Sequence, residues 1–170
     1  MSGTDRERKD QASDELPILE KRRIEAAILK HVFDVIEARS GRAEAEAVIG
    51  EAVQRSAVEQ GRYFRDKLGR EPDLLDFNAL SALWEAGGAL EREVLVASAE
   101  RLEYNMTRCA YAEMYREMGL EEIGHLLSCN RDGTFCVGYN PKMRLTRNQT
   151  IMQGASHCDF RYRMVEEGDA

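Results

Sequence analysis

The sequence predicts an α+β fold, in which N-terminal amphipathic helices pack on a roughly four-stranded antiparallel sheet with a helical insertion. Apolar residues recur at helical spacing in the first half, whereas the second half contains segments of strand-like alternation. A chain of 170 residues is long enough to bury one core without disulfides. We therefore expect a single domain over residues 16–165, with a helical part at 16–88 and the sheet and site at 89–165. Residues 1–15 should form a disordered charged tail and residues 166–170 an acidic tail.

Three helices are expected before the Gly87-Gly88 break. The first covers residues 16–39, where one stripe follows the 3.6-residue repeat: Ile24, Ile28, Val32, Val35 and Ile36. The second covers residues 42–67 and has its own predicted buried stripe: Val48, Ile49, Ala52, Val53, Ala57 and Phe64. Asp73 should cap a third, shorter helix that begins at Leu74.

The sheet is predicted from the segments after this break. Residues 90–97 and 101–107 should form a hairpin that turns near Ala99. A helix at 109–118 and a helical stretch at 120–128 should lead into an irregular segment at 129–133. Two further strands should follow, at residues 142–152 and 157–165.

The net charge and the composition limit the classes of binding partner that we expect for this protein. The formal net charge of −7 makes nucleic acid and anionic membranes unfavourable partners, and no apolar stretch has the length of a membrane span. Because no apolar secretory segment is evident, we expect a cytoplasmic protein with reduced thiols, although the even number of cysteines would permit two disulfides. No cofactor motif is present, and none is expected. The long first two helices suggest a possible homo-oligomer.

Residues 140–165 are locally basic, which is unusual in an acidic protein. This segment contains one acid, Asp159, and five basic residues: Lys142, Arg144, Arg147, Arg161 and Arg163. This contrast could attract a small anion, or it could be the solvated face of a strand.

Strand alternation places Arg147 and Gln149 on the same face as Met143, Leu145 and Ile151. Three of these five residues are apolar, so that face should be buried. A buried guanidinium matches a carboxylate in shape and charge. Arg147 is therefore the leading candidate for binding a substrate carboxylate, with pairing to an internal acid as the alternative.

The final strand separates two neighbouring candidates. Cys158 alternates with Phe160 and Tyr162 and should face inward, which would leave His157 exposed unless the strand begins later. A buried cysteine can be a functional thiol or simply a small apolar side chain.

Further candidates lie between the two strand pairs. Cys109 follows Thr107, a plausible N-cap, so the helix dipole would stabilise a thiolate there, with Glu113 one turn away as a proton acceptor. Glu113 could instead pair with Arg116. Asp132 lies in the predicted irregular segment, where an aspartate before glycine is either catalytic or an ordinary turn residue.

Metal binding is the less favoured interpretation, because the cysteine spacings lack the short pairs of zinc sites. If a metal were bound, the candidate ligands would be Cys109, Cys129, His157 and Cys158.

Several strings in the second half resemble the L-2-amino-thiazoline-4-carboxylic acid hydrolase family. They are residues 107–113, 126–132, 138–141 and 145–150, followed by Gly154 and the His-Cys-Asp-Phe-Arg-Tyr run that begins at His157. The resemblance implies a hydrolase that opens a small cyclic isothiourea, amidine or amide bearing a carboxylate.

Ring opening of this kind needs a base or nucleophile, a proton donor and a cation for the carboxylate. The candidates for the chemical step are Cys158, Asp132, Cys109, Glu113 and His157. The candidates for binding the substrate are Arg147, Asn140, Gln149, Asp159 and Arg161. Covalent catalysis by a cysteine and direct attack by water both remain open. A non-catalytic domain that senses a small molecule or a metal is the alternative function.

Overall fold

The computed structural model describes residues 16–165, so the two predicted tails lie outside the described residues. Helix α1 (Ile18–Ser40) and helix α2 (Arg42–Leu68) form the helical half and pack against each other. Gly41 joins them with a φ of +88°, a value that side-chain-bearing residues rarely adopt. Gly69 ends α2 in the left-handed conformation, and its N–H donates to the carbonyl of Arg65.

The side of α1 that faces the protein is not the stripe predicted from the sequence. The inward residues are Ile18, Arg22, Ala26 and Phe33. Most of the predicted stripe is exposed, including Ile24 and Ile28, each at 61%. Apolar residues lie on both sides of this helix, so periodicity alone could not identify the inner side.

Helix α3 (Leu74–Leu80) begins as predicted. The Asp73 side chain accepts hydrogen bonds from the backbone of Leu75 and Asp76, and the Asp76 carboxylate bonds back to the Asp73 N–H. A second short helix, α4 (Ala82–Glu85), follows α3 in the chain.

The predicted four-stranded antiparallel sheet is confirmed, and its strand order is β1-β2-β4-β3. Its strands are β1 (Leu90–Ala97), β2 (Arg101–Cys109), β3 (Met143–Thr146) and β4 (Cys158–Met164). The two central strands, β2 and β4, therefore position most of the side chains that the sheet contributes to the interior.

The two faces of the sheet differ in polarity. The inner face carries buried apolar side chains that alternate along β2 and β4: Leu102, Tyr104, Met106, Cys158, Phe160 and Tyr162. The outer face carries Glu103, surrounded by Arg101, Arg161 and Arg163. Two of the basic residues of segment 140–165, Arg161 and Arg163, thus lie on a polar surface outside the core.

Helix α5 (Ala110–Glu117) follows β2, and a π-helical turn (His125–Cys129) leads directly into α6 (Asn130–Tyr139). The prediction of an irregular segment at 129–133 was wrong, because these residues lie in the π-turn and the first turn of α6. Helix α6 packs along α2. A Cβ atom added to Gly138 would lie 2.0 Å from the carbonyl oxygen of Val58, so the two backbones touch there. Tertiary packing therefore stabilises this helix where the local sequence does not.

Strand β3 is much shorter than predicted. It ends at Thr146, and the chain then leaves the sheet for a 3₁₀ turn at Ile151–Gln153. The Asp159 carboxylate explains the departure, since it accepts the backbone N–H groups of Asn148 and Gln149 at 2.9 Å each. These N–H groups bind a side chain instead of a neighbouring strand.

Two clusters of buried side chains form the core. One lies among α1, α2, α5 and the π-turn, and the other lies between the inner face of the sheet and helices α3 and α6. Trp84, Leu90 and Ile151 contact both clusters. No helix within residues 16–165 has the length and apolar character needed to cross a membrane.

Candidate functional site

A cavity of about 110 Å³ lies between the inner face of the sheet and the helices. Trp84 and Leu90, which contact both core clusters, line it, so it occupies the seam where the clusters meet. Aromatic side chains from six different elements form much of its wall: Phe77, Trp84, Tyr104, Tyr111, Phe135, Phe160 and Tyr162. The cavity therefore offers flat apolar surfaces to a small ring.

Asp132 and Arg147 form an ion pair in the wall of this cavity. Asp132 lies in the first turn of α6, and Arg147 directly follows β3. The Arg147 Nη2 also donates to the carbonyl of Cys129 at 3.1 Å, and its guanidinium carbon lies 4.9 Å from the centre of the Phe160 ring. Three contacts thus hold this guanidinium in one orientation.

The carboxyl group of Asp132 has an unusual protonation equilibrium. Burial raises its pKa above the ordinary value, and the positive charge and hydrogen bond of Arg147 oppose that rise. The Asp132 side chain is still 33% exposed, and Asp132 lines the cavity. A carboxylate that is poorly solvated but open to a ligand is suited to accepting a proton.

Cys158 faces the cavity, as the alternation along β4 predicted. Its Sγ accepts a hydrogen bond from the Ile151 N–H at 3.2 Å. Burial raises the pKa of this thiol, although the Ile151 N–H and the charge of Arg147 favour the thiolate. Arg147 and Cys158 therefore line the same cavity.

Cys109 and Cys129 also line the cavity. Burial raises the pKa of Cys109 to about 11 and raises that of Cys129 as well. The expectation of a Cys109 thiolate was wrong, because burial outweighs the hydrogen bonds from the first backbone N–H groups of α5. Thr107 is not an N-cap, since it lies in β2 and its hydroxyl donates to the carbonyl of Glu91.

Other charged groups line the cavity from both halves of the chain. Arg22 and Arg131 both pair with Glu25, at 2.8 and 3.1 Å. Arg92 pairs with Glu85 at 2.7 Å and lies over the ring of Tyr104. With Arg147, four arginines and two carboxylates line the cavity, so its wall has an excess of positive charge that favours an anionic ligand.

Two of the residues predicted for the chemical step lie outside the cavity lining. Glu113 is exposed and pairs with Arg108 at 2.8 Å, not with Cys109 or Arg116. His157 directly precedes β4, and the Gln149 amide nitrogen is 3.2 Å from both of its imidazole nitrogens. Neither side chain reaches the Asp132–Arg147 pair.

Four of the five predicted binding residues do not line the cavity, and their side chains make contacts elsewhere. Gln149 donates to the carbonyl of His157 at 3.0 Å, and Asp159 binds the loop that begins at Arg147. Asn140 is buried, where it donates to the carbonyl of Pro72 at 2.8 Å. Arg161 donates to the Tyr104 carbonyl and the Asn105 amide on the outer face of the sheet. Arg147 is the predicted binding residue that lines the cavity.

The four cysteines of the described chain are free thiols. Three candidate metal ligands (Cys109, Cys129 and Cys158) line the cavity, whereas His157 does not. Within residues 16–165, no group of three or more His, Cys, Asp or Glu side chains is arranged to hold a metal ion.

The sequence patterns did not predict the aromatic wall, nor the cavity arginines other than Arg147, which are Arg22, Arg92 and Arg131. Arg22 lies at four-residue spacing from Ile18 and Ala26 on the buried side of α1, and this spacing was the available signal. The aromatic side chains come from segments far apart in the chain, so no local pattern brings them together.

Taken together, the fold and the site define a two-layer α+β domain that encloses an aromatic cavity with a partly buried carboxylate–guanidinium pair. The chain belongs to the L-2-amino-thiazoline-4-carboxylic acid hydrolase family, whose model matches residues 21–162. The match includes most of the helical half, although the sequence strings that resemble the family all lie after residue 100.

Solved structures that resemble this one include the phenol-responsive sensory domain of the transcription activator PoxR, determined with phenol. The similarity covers 85% of this chain and 76% of that chain, with a TM-score of 0.51 and 12% sequence identity. At this identity it shows a shared fold and nothing about function. No curated protein matches the chain.

Proposed function

We propose that this protein is a hydrolase that opens a small planar ring bearing a carboxylate, with a cyclic isothiourea such as L-2-amino-thiazoline-4-carboxylate as the model substrate. The observation that carries the proposal is the Asp132–Arg147 pair in the wall of an aromatic cavity. Membership of the hydrolase family supports the type of reaction.

In the proposed reaction, Asp132 is the general base. Its carboxylate accepts a proton from a water molecule, and the water oxygen attacks the ring carbon between nitrogen and sulfur. The electron pair of the carbon–nitrogen double bond moves to the nitrogen. As the carbon–sulfur bond breaks and the carbonyl forms, the second proton of the attacking water passes to that nitrogen, and Asp132 returns its own proton to the departing sulfur. For the model substrate the product is N-carbamoyl-L-cysteine, which contains the substrate plus one water.

Arg147 is proposed to bind the substrate carboxylate. Asp132 and Cys129 occupy only some of its N–H groups, and the remaining donors are available to a ligand. A second carboxylate near Asp132 would raise the pKa of Asp132 further, and a carboxylate of higher pKa is a stronger base. Binding the substrate would therefore activate the base.

The thiols are proposed to stay protonated and to take no covalent part. Burial raises the pKa values of Cys109 and Cys158, so few of these groups are thiolates near neutral pH. Cys158 would then pack against the ring and influence its position. This choice favours direct attack by water over a covalent intermediate.

The test is thiol release from a panel of cyclic isothioureas, measured with a thiol-reactive dye after the protein has been removed. We expect turnover by the wild type, a loss of about 10²- to 10⁴-fold in Asp132→Asn, and measurable turnover in Cys158→Ala. Full activity in Asp132→Asn would overturn the assignment of the base. An adduct on Cys158, seen by intact-mass spectrometry during turnover, would overturn direct attack by water.

A second candidate is a non-catalytic domain that binds a small aromatic molecule. The seven aromatic residues of the cavity wall favour it, and the PoxR domain, which has the same fold, is described as phenol-responsive. Calorimetry with phenol and with benzoate distinguishes the two candidates. Binding of either compound, together with no turnover on the whole isothiourea panel, would favour the sensor.

A further inference from the structure

The outer side of α1 carries a continuous apolar stripe that nothing in residues 16–165 covers. Its large members are exposed in the following fractions: Ile24 61%, Ile28 61%, Val32 39% and Val35 48%. Exposed Ala27 and Ala38 lie beside them on the same side of the helix. Large aliphatic side chains so close together on a surface usually mark an interface.

The inner side of α1 is apolar as well, with Ile18, Ala26 and Phe33 buried against the rest of the domain. A helix that is apolar on opposite sides needs a partner on each. The domain supplies the inner partner. The outer stripe therefore requires a second surface.

We propose that this surface is α1 of a second copy of the chain, packed antiparallel in a two-fold symmetric dimer. The seam positions follow the alternating spacing of four and three residues that two packed helices require: Ile24, Ile28, His31 and Val35. A symmetric interface must be complementary to itself, and this seam meets that condition.

The register follows from the same positions. When the two-fold axis passes between Leu29 and Lys30, Ile24 lies opposite Val35 of the other copy, and Ile28 lies opposite His31 of the other copy. This axis crosses the middle of α1 (Ile18–Ser40), so the two helices overlap along their whole length of roughly 34 Å. His31 is the single polar residue among these four seam positions, and a polar seam position specifies register.

Charge favours a second copy over a membrane surface. Helix α1 carries five basic and four acidic residues, so it is nearly neutral, while the whole chain has a formal charge of −7. Two such helices can approach without strong repulsion. A helix that binds anionic membranes needs a clear excess of lysine and arginine beside its apolar side.

The first test is sedimentation equilibrium of the full chain across a concentration series. We expect a dimer for the wild type and a monomer for Ile28→Glu. Val137→Glu serves as a matched control, because Val137 is 58% exposed on α6 and should leave the dimer intact. A monomeric wild type, or a dimer unaffected by Ile28→Glu, would overturn the proposal. Circular dichroism of each variant establishes that it is folded.

The second test addresses the register. A chain with Ile28→Glu and a chain with His31→Lys are each expected to self-associate weakly. Mixed together, they should form a heterodimer, because the new carboxylate and the new ammonium group lie opposite each other. His31→Leu alone should tighten the wild-type dimer. Failure of the mixed pair to associate would exclude this register.

Discussion

Arg147 holds the Asp132 carboxylate from across the cavity wall, and this pair ties the start of α6 to the chain that leaves β3. The same guanidinium lies over the ring of Phe160 on β4. Three elements that are distant in sequence therefore converge on one charged group. This arrangement fixes the position of the proposed base before any substrate arrives.

Removing the guanidinium should make stability strongly dependent on pH. Burial already raises the pKa of Asp132 in the folded state, so ionising this group costs stability as the pH rises. Without Arg147 the folded pKa rises further, and the cost grows. We expect Arg147→Met to lose about 3 kcal/mol of unfolding free energy at pH 8 and much less at pH 4. Urea denaturation at both pH values measures this.

The double variant Asp132→Asn with Arg147→Met is the control for that experiment. Because it contains no buried carboxylate, its loss of stability should be similar at the two pH values. Equal losses at pH 4 and pH 8 in the single variant would contradict the electrostatic explanation.

The cavity thiols should react slowly with iodoacetamide. Burial raises the pKa of Cys109 to about 11, so its thiolate fraction, and hence its alkylation rate, should rise about tenfold for each pH unit from 7.5 to 9.5. Peptide mass spectrometry after timed quenching follows Cys109 individually. In urea-unfolded protein the same cysteine should approach a constant rate near pH 9. A plateau in the folded protein at that pH would show an unshifted thiol.

Two glycines of α6 should respond oppositely to alanine. A Cβ atom on Gly138 would lie 2.0 Å from the Val58 carbonyl oxygen of α2, so Gly138→Ala should lose more than about 2 kcal/mol of stability. Gly133 is its matched control, because the nearest atom to an added Cβ, on Leu145, is 4.0 Å away. There the better helix propensity of alanine should add about 0.5–1 kcal/mol. Thermal denaturation that ranks the two variants the other way would refute the backbone contact.

Asp159 should stabilise the loop that carries Arg147. Although burial raises its pKa, the N–H groups of Gln149 and Asn148 lower the folded value overall. An acid with a lowered folded pKa contributes stability at neutral pH and loses it as the pH falls through that value. We expect Asp159→Ala to lose about 1–2 kcal/mol at pH 7. Chemical denaturation from pH 7 down to pH 2.5 should show the wild type and variant converging, whereas a constant gap would argue against the carboxylate.

The sheet could be predicted because its strands carry local signals. Cys158, Phe160 and Tyr162 alternate with polar residues, and this pattern placed the thiol on the inner face correctly. Arg147 was found by the same argument. The alternation was extended too far, however, because a side chain eleven residues away, Asp159, draws Asn148 out of the sheet.

The environment of Asp132 could not be predicted from its neighbours. The string from Cys129 to Gly133 contains turn-forming residues, yet contact between α2 and α6 makes it helical. On α1 the helix was predicted but its buried side was not, because apolar residues follow the helical repeat on both sides. The sequence pattern alone does not show which of these two sides packs against the rest of the domain.

Glu25 joins Arg22 of α1 to Arg131 of α6, and both arginines border the cavity. Helix α1 therefore has two functions in these proposals. Its outer side forms the dimer interface, and its inner side contributes the positive charge of Arg22 to the cavity. If a bound anion shifts Arg22 and thereby α1, anion binding and dimerisation become linked equilibria. Dimerisation then changes the affinity for the anion by the same factor by which the anion changes the affinity between the two copies. An apparent dissociation constant for ligand that varies with protein concentration would be the signature of that coupling.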